Sequence, residues 1–379
     1  MVAIAAVSMA SAPLRGQEPD RLILSRHVSI LASPEFGGRR GEGAALSRAY
    51  LIDQFRILGL EPLFDGSYTQ DVTGEGDGGV IGVNVGARLA GTDPTVADRW
   101  VILGAHYDHL GRVDGQLYPG ADDNASGVAM MLEVARAMAR SPARPRRAVA
   151  FVGFDLEERG PKGGFGLRGS QFFARHPPFP LDRVALFVTA DMIGRSLGGV
   201  CKSYVFALGS EREPEVRPWI ARAAEGRPVT VGLLGSDMLV IDRSDYGPFR
   251  TRRIPYLFFT TGENPLYHSP DDLPGTIDYP KLEAISRIIH GVVVEAARAE
   301  AEPRWSEVPQ HSMAEAIAVR DILRTLLENR EALKIGAFQV ALMGRTIRTI
   351  DQIAERGRMT PDERSQILRA AQTILFTVF

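Results

Sequence analysis

Five short runs of this chain carry residues that could do hydrolytic chemistry. They are AHYDHLG with His106, Asp108 and His109, GADDNASG with Asp122 and Asp123, FDLEERG with Glu157 and Glu158, ADMIG with Asp191, and YHSPDD with His268. Imidazole and carboxylate are the donor types of a metal centre and also general acids and bases. Charged groups that cannot pair must find a metal, a proton or water. Read singly, each run has a plainer meaning: Asp122 to Ser126 as a helix-capping cluster, the Glu pair as a solvated loop, Asp191 as a cap, His268 as a turn. Only one cysteine, Cys201, is present, so neither an intrachain disulfide nor a cysteine-based zinc site can form. A metal would therefore be held by His, Asp and Glu, which puts zinc first, with manganese or cobalt behind it.

What favours the metal is where the elements put these residues. Val101 to Leu103 reads as a short buried strand, and His106 follows it. AVAFVGF (148–154) precedes the Glu pair, VALFVTA (184–190) precedes Asp191, and Ile254 to Phe259 precedes His268. Asp122 and Asp123 open a helix whose apolar side is Val128, Met131, Leu132, Ala135 and Met138. Strands alternating with helices, here also near 170–175, 214–224 and 280–297, predict an α/β fold. Its sheet is mixed and largely parallel, with helices on both faces. Open sheets of this kind bind ligands at the C-terminal ends of their strands, and five segments bring His or carboxylate to that rim.

Two helices lead in: Leu24, Val28 and Leu31 share one face, and Tyr50, Leu51, Phe55 and Leu58 precede a stop at Gly59. Residues 66–80 read as a polar connection with one edge strand. After Pro303 and Pro309 only helical patterns follow, and Thr360, Pro361 and Glu363 form a capping box with proline at the first helical position. The expected organisation is a leader over 1–20, a catalytic domain over 21–300 and a C-terminal helical extension over 301–379.

The ordered runs resemble the dizinc aminopeptidase family, relatives of which include glutamate carboxypeptidase II and the glutaminyl cyclases. The similarity spans roughly residues 22–298. It implies the zinc-exopeptidase fold and two Zn²⁺ ions, with His106 and Asp191 on one, Glu158 and His268 on the other, and Asp123 between them. Asp108 would stand behind His106 and orient its ring, and Glu157 would be the general base. Two departures stand out. A Gly-rich piece at 161–166 follows the Glu pair and reads as a longer loop, and Tyr246 in SDYGPF stands where a His is common.

The activity implied is removal of N-terminal residues from peptides. A glutaminyl cyclase-like transferase with one zinc is the competing reading, disfavoured because Trp100, Trp219 and Trp305 all lie away from the proposed ligands. A non-catalytic binding module on the same fold is disfavoured by the complete ligand set. With 44 basic against 46 acidic residues, nothing points to nucleic acid as partner. No segment reads as membrane-spanning. The N-terminal MVAIAAVSMASAP resembles a secretory signal core, so the expected location is periplasmic or secreted, otherwise cytoplasmic.

Overall fold

The computed structural model describes residues 17–74, 78–159 and 166–379. The expected leader lies outside them up to residue 16, as does the Gly-rich insertion up to residue 165.

Two helices lead in, α1 (Arg21–Leu31) and α2 (Glu42–Ile57). Asp20 caps α1 by accepting from the Leu22 and Ile23 amides, and Leu24, Val28 and Leu31 are buried along one face, as their spacing predicts. The chain then forms β1 (Glu61–Pro62), β2 (Thr69–Thr73), β3 (Val80–Leu89) and β4 (Trp100–His106). A small hairpin, β5 (Gly111–Val113) and β6 (Gln116–Tyr118), leads to a turn over Ala121–Ser126 and then α3 (Gly127–Arg140). After it come β7 (Ala148–Phe154), α4 (Arg168–Arg175), β8 (Val184–Ala190), β9 (Tyr204–Leu208), α5 (Arg217–Ala224) and β10 (Thr230–Leu234). The core of the fold finishes with α6 (Gly247–Thr251), β11 (Tyr256–Thr260) and α7 (Tyr279–Arg298). Three helices, α8 (Met313–Glu328), α9 (Ala337–Arg356) and α10 (Pro361–Val378), complete the chain.

The main sheet runs β1-β3-β7-β4-β8-β11-β9-β10, and β2 also pairs with β3. Its centre, β7-β4-β8-β11, is parallel. Antiparallel pairing enters at the flanks, where β3 meets β7 and β9 meets β11. All residues of the four central strands are buried, which is why they read as continuous apolar runs. Alternation then divides the core. Val101 and Leu103 pack with α1, α2, α3, α5 and α7, while Ile102, Val152 and Phe187 pack with α4, α6 and the last three helices. Helices α8–α10 thus share a core with one sheet face through Val319, Leu323, Ile350 and Ile374. No helix among the described residues is long and apolar enough to cross a membrane.

Candidate metal centre

His106 ends β4, in the middle of the parallel strands, with Glu157 and Glu158 following β7 on one side and Asp191 following β8 on the other. The acid pair arrives from above, through the turn before α3. Gly120 makes that turn at φ +63°, and a Cβ there would meet the Asp123 carbonyl at 2.2 Å, so glycine is required. Gly127 lets α3 start against the end of β8, where a Cβ would lie 2.6 Å from the Ala190 carbonyl.

These placements bring two groups of donors together around one carboxylate. His106 Nε2 lies 3.5 Å from Asp123 Oδ1 and 3.3 Å from Asp191 Oδ1. The other oxygen, Asp123 Oδ2, lies 3.1 Å from His268 Nε2, which is itself 3.2 Å from Glu158 Oε1. His109 joins this second group, its Nδ1 3.0 Å from Glu158 Oε1 and 3.9 Å from Asp123 Oδ2. In each group, His106–Asp123–Asp191 and His109–Asp123–Glu158, ligand atoms are close enough to share one ion. Glu157 belongs to neither; it lines the adjoining cavity together with Asp191 and Met192.

The electrostatics fit cations. His106 Nε2 and Asp191 Oδ1 are buried without a hydrogen-bond partner among the described residues, which burial penalises unless an ion or proton takes the lone pairs. Burial, and then the nearby Glu158, push the Asp123 carboxyl up to about 6. Burial and the surrounding Asp191, Glu158 and Asp245 likewise hold Glu157 well above the ordinary carboxylate range, against the pull of His106. His268 is driven the other way from its burial, up to about 10, by Asp123 and Glu158. A pocket this rich in carboxylate, with only oxygen and imidazole donors, suits divalent ions of the zinc class.

Around the donors lies a scaffold that has little local signal in the sequence. The Asp108 carboxylate stands 3.7 Å from His106 Nδ1, whose hydrogen-bond partner is the Asp108 backbone carbonyl at 3.3 Å, and that carboxylate accepts the Glu157 and Glu158 amides at 3.0 and 3.2 Å. Asp108 thus touches both the ring of His106, through its carbonyl, and the start of the Glu pair, through its carboxylate. Asp272, the last acid of YHSPDD, accepts the Asp122 amide at 2.8 Å, the Asp123 amide at 3.2 Å and Arg195 at 2.7 Å. Asp122 points away from the centre, accepting the Gly194 amide at 2.6 Å and the Asn264 side-chain amide at 3.2 Å. Arg39, from the Gly- and Arg-rich loop after α1, is fully buried and donates to five backbone carbonyls, including those of Gly120 and Asp123. His109 reads from the sequence as a loop residue outside the ligand set. It is buried because its amide bonds the Arg39 carbonyl and the Gly111 amide bonds the Gly38 carbonyl, which folds the loop inward. Tyr246 is buried between Tyr256 and Phe258 as part of the core. Its neighbour Asp245 is also buried, and burial pushes that carboxyl up to about 7 despite His106. On either side of the insertion, the Leu167 amide bonds the Glu157 carbonyl at 2.9 Å, so the chain leaves and rejoins beside Glu157.

The profile of peptidase family M28 matches residues 84–293, more than half of the chain and a span that holds all the donors above. The chain belongs to peptidase family M28. Aminopeptidase YwaD of Bacillus subtilis is 26% identical over 211 residues, which is 54% of this chain and 42% of YwaD. A glutaminyl-peptide cyclotransferase of Gloydius blomhoffii is 27% identical over 251 residues, 55% of this chain and 65% of that protein. The chain thus spans about half the length of these curated relatives. Among solved structures, a Zn-dependent exopeptidase from Parabacteroides distasonis has the same fold, with a TM-score of 0.58 at 20% identity over 73% of this chain and 98% of that one.

Proposed function

We propose that this M28 chain is a metal-dependent exopeptidase that hydrolyses the N-terminal peptide bond of peptides. The observation that carries the reading is Asp123, one carboxylate shared between two donor groups, with Glu157 beside both and committed to neither. His106 and Asp191 would hold one Zn²⁺ and Glu158 and His268 the other, with Asp123 between them. Bound there, the pair would supply a water of lowered pKa and polarise the scissile carbonyl. Glu157 takes the proton from the attacking water at its carboxylate and hands it to the departing amine nitrogen, and a carboxylate free of the ligand set is what that shuttle needs. Asp108 holds the Glu157 amide, so the base keeps its position through both transfers. The apolar run over residues 1–13 supports a periplasmic or secreted location.

The cyclase reading draws on the cyclotransferase similarity. Against it, none of the three tryptophans lines the cavity beside Glu157, and the donors fall in two groups where a cyclase needs one ion. Elemental analysis of the purified chain, beside amine release from aminoacyl amides and from an N-terminal glutaminyl peptide, separates the two. Two zincs per chain with chelator-sensitive aminoacyl hydrolysis is expected; one zinc with a pyroglutamyl product would move the answer to the cyclase. Glu157→Gln should keep fold and metal while lowering turnover by about 10²–10⁴-fold, and unchanged turnover would remove Glu157 from the mechanism.

A further inference from the structure

The donor group around Glu158 and His268 has a fourth member. His109 Nδ1 lies 3.0 Å from Glu158 Oε1 and 3.9 Å from Asp123 Oδ2, and His268 Nε2 lies 3.2 and 3.1 Å from the same two oxygens. The two rings meet edge-on with centroids 5.8 Å apart, so both imidazoles converge on one pair of carboxylate oxygens. Zinc bonds of about 2.0–2.2 Å at the tetrahedral angle set neighbouring donors about 3.3–3.6 Å apart. The four separations, 3.0 to 3.9 Å, bracket that edge. Backbone contacts on both sides hold His109 there: its amide donates to the Arg39 carbonyl at 3.3 Å and its carbonyl accepts from Arg40 Nη1 at 3.4 Å. The ring packs against Gly120, where a Cβ would come 2.5 Å from His109 Cδ2. Because the Arg39 guanidinium also holds the Gly120 and Asp123 carbonyls, one buried residue sets the ring relative to the shared carboxylate.

We propose that His109 Nδ1 is a ligand of the ion at Glu158 and His268, so that four protein groups close that site and only the ion at His106, Asp123 and Asp191 keeps an open position. The proposal rests on the two-ion reading above. A hydrogen bond to Glu158 would explain the 3.0 Å contact alone. It does not explain why a wholly buried ring shares both oxygens with His268 at ligand-to-ligand spacing. The other group has three donors among the described residues, with His106 Nε2 3.5 Å from Asp123 Oδ1 and 3.3 Å from Asp191 Oδ1, and its Asp191 lines the cavity beside Glu157. Four protein ligands mark ions that hold structure, and three with a free position mark ions that meet substrate. The two ions therefore differ in duty: the one at His109 anchors the turn bearing Asp123, and the one at His106 faces the peptide.

The ring nitrogens distinguish this from the plainer reading, because His106 and His268 offer Nε2 whereas His109 offers Nδ1. Histidine-labelled full chain, stripped of metal and reloaded with zinc, is read by nitrogen-15 NMR beside its zinc content. Two zincs are expected, with two rings bound through Nε2 and one through Nδ1. His109→Gln keeps an amide that can donate to Glu158 but is a poor zinc ligand. It and His109→Ala should weaken the tighter zinc alike, by about 100-fold in competition with a chromophoric chelator. A Gln variant that binds zinc as wild type does would show the ring to be only the hydrogen-bond partner of Glu158 and overturn the proposal. Should neither variant fold, the wild-type spectrum decides by itself. Two zincs with no Nδ1-bound ring would sink this inference alone, whereas a single zinc with an Nδ1-bound ring would sink the two-ion reading and leave His109 a ligand.

Discussion

Replacing Arg39 by Lys tests whether the donors are held by a buried guanidinium. Arg39 uses all five N–H groups: Nε to the Tyr107 carbonyl at 2.9 Å, Nη1 to Leu31 at 3.2 Å and Pro119 at 2.6 Å, and Nη2 to Gly120 at 2.7 Å and Asp123 at 2.9 Å. Lysine offers three donors from a single nitrogen, so at least two buried carbonyls lose their partner. Leaving each unsatisfied costs about 1–3 kcal/mol, which for two carbonyls sets the loss at about 2–6 kcal/mol. Simple addition over all five bonds gives about 5–15 kcal/mol, as much as the whole stability of a typical protein, so Arg39→Ala should fall further than Lys but by less than the sum. Because the Gly120 and Asp123 carbonyls are two of the five partners, losing them would loosen the turn that presents Asp123, and metal occupancy should fall with stability. The assay is urea unfolding of metal-stripped protein, which separates the fold from its ions, with zinc content of the reloaded protein measured alongside. An Arg39→Lys protein within about 0.5 kcal/mol of wild type and fully loaded with metal would refute the reasoning.

Three further outcomes follow from the same contacts. Asp123→Asn should lower the metal-to-protein ratio after dialysis while Asp122→Asn keeps it, because the Asp122 carboxylate is already engaged by Gly194 and Asn264; the reverse order would make Asp122 the shared acid. His109→Ala should weaken one ion by about 10–100-fold in competition with a chromophoric chelator, since its ring is within reach of Glu158 and Asp123, and equal affinity at both sites would show it to be only packing. On the C-terminal helices, His311 and Arg364 hold the buried Glu315 carboxyl down to about 2, against burial that would raise it. A depressed carboxyl stabilises the fold above its ordinary value near 4.5 and loses that contribution as pH falls through about 2, so the gap between wild type and Glu315→Gln, up to about 3 kcal/mol, should shrink across that window in acid unfolding. A gap independent of pH would mean the carboxylate is not what binds there.

The class of fold was legible because the central strands are buried on both faces and so form unbroken apolar runs, each ending in a residue with chemistry. The strands Tyr204–Leu208 and Thr230–Leu234 have no signal of their own in the sequence. Runs as short as YVFAL and TVGLL carry no periodicity that distinguishes strand from buried coil, and what makes them strands is pairing with Tyr256–Thr260 and with each other. The capping box at Thr360, by contrast, is a local structure with a local signal, and it forms as read.

By itself, then, the sequence determined which side chains could hold metal and that they end successive strands, since residue type and period are local properties of the chain. Tertiary structure alone decided the rest. It splits the donors into two groups about Asp123, turns Asp122 outward, buries His109, and hands the holding of the site to Arg39 and Asp272. It also sets the C-terminal helices so that Leu323 and Ile374 line the same cavity as Asp123 and Glu157. The reason is physical: which oxygen faces which nitrogen depends on contacts between residues from 84 to more than 140 positions apart, as in Arg39 with Asp123 and Asp123 with Asp272, and no local pattern encodes such a separation.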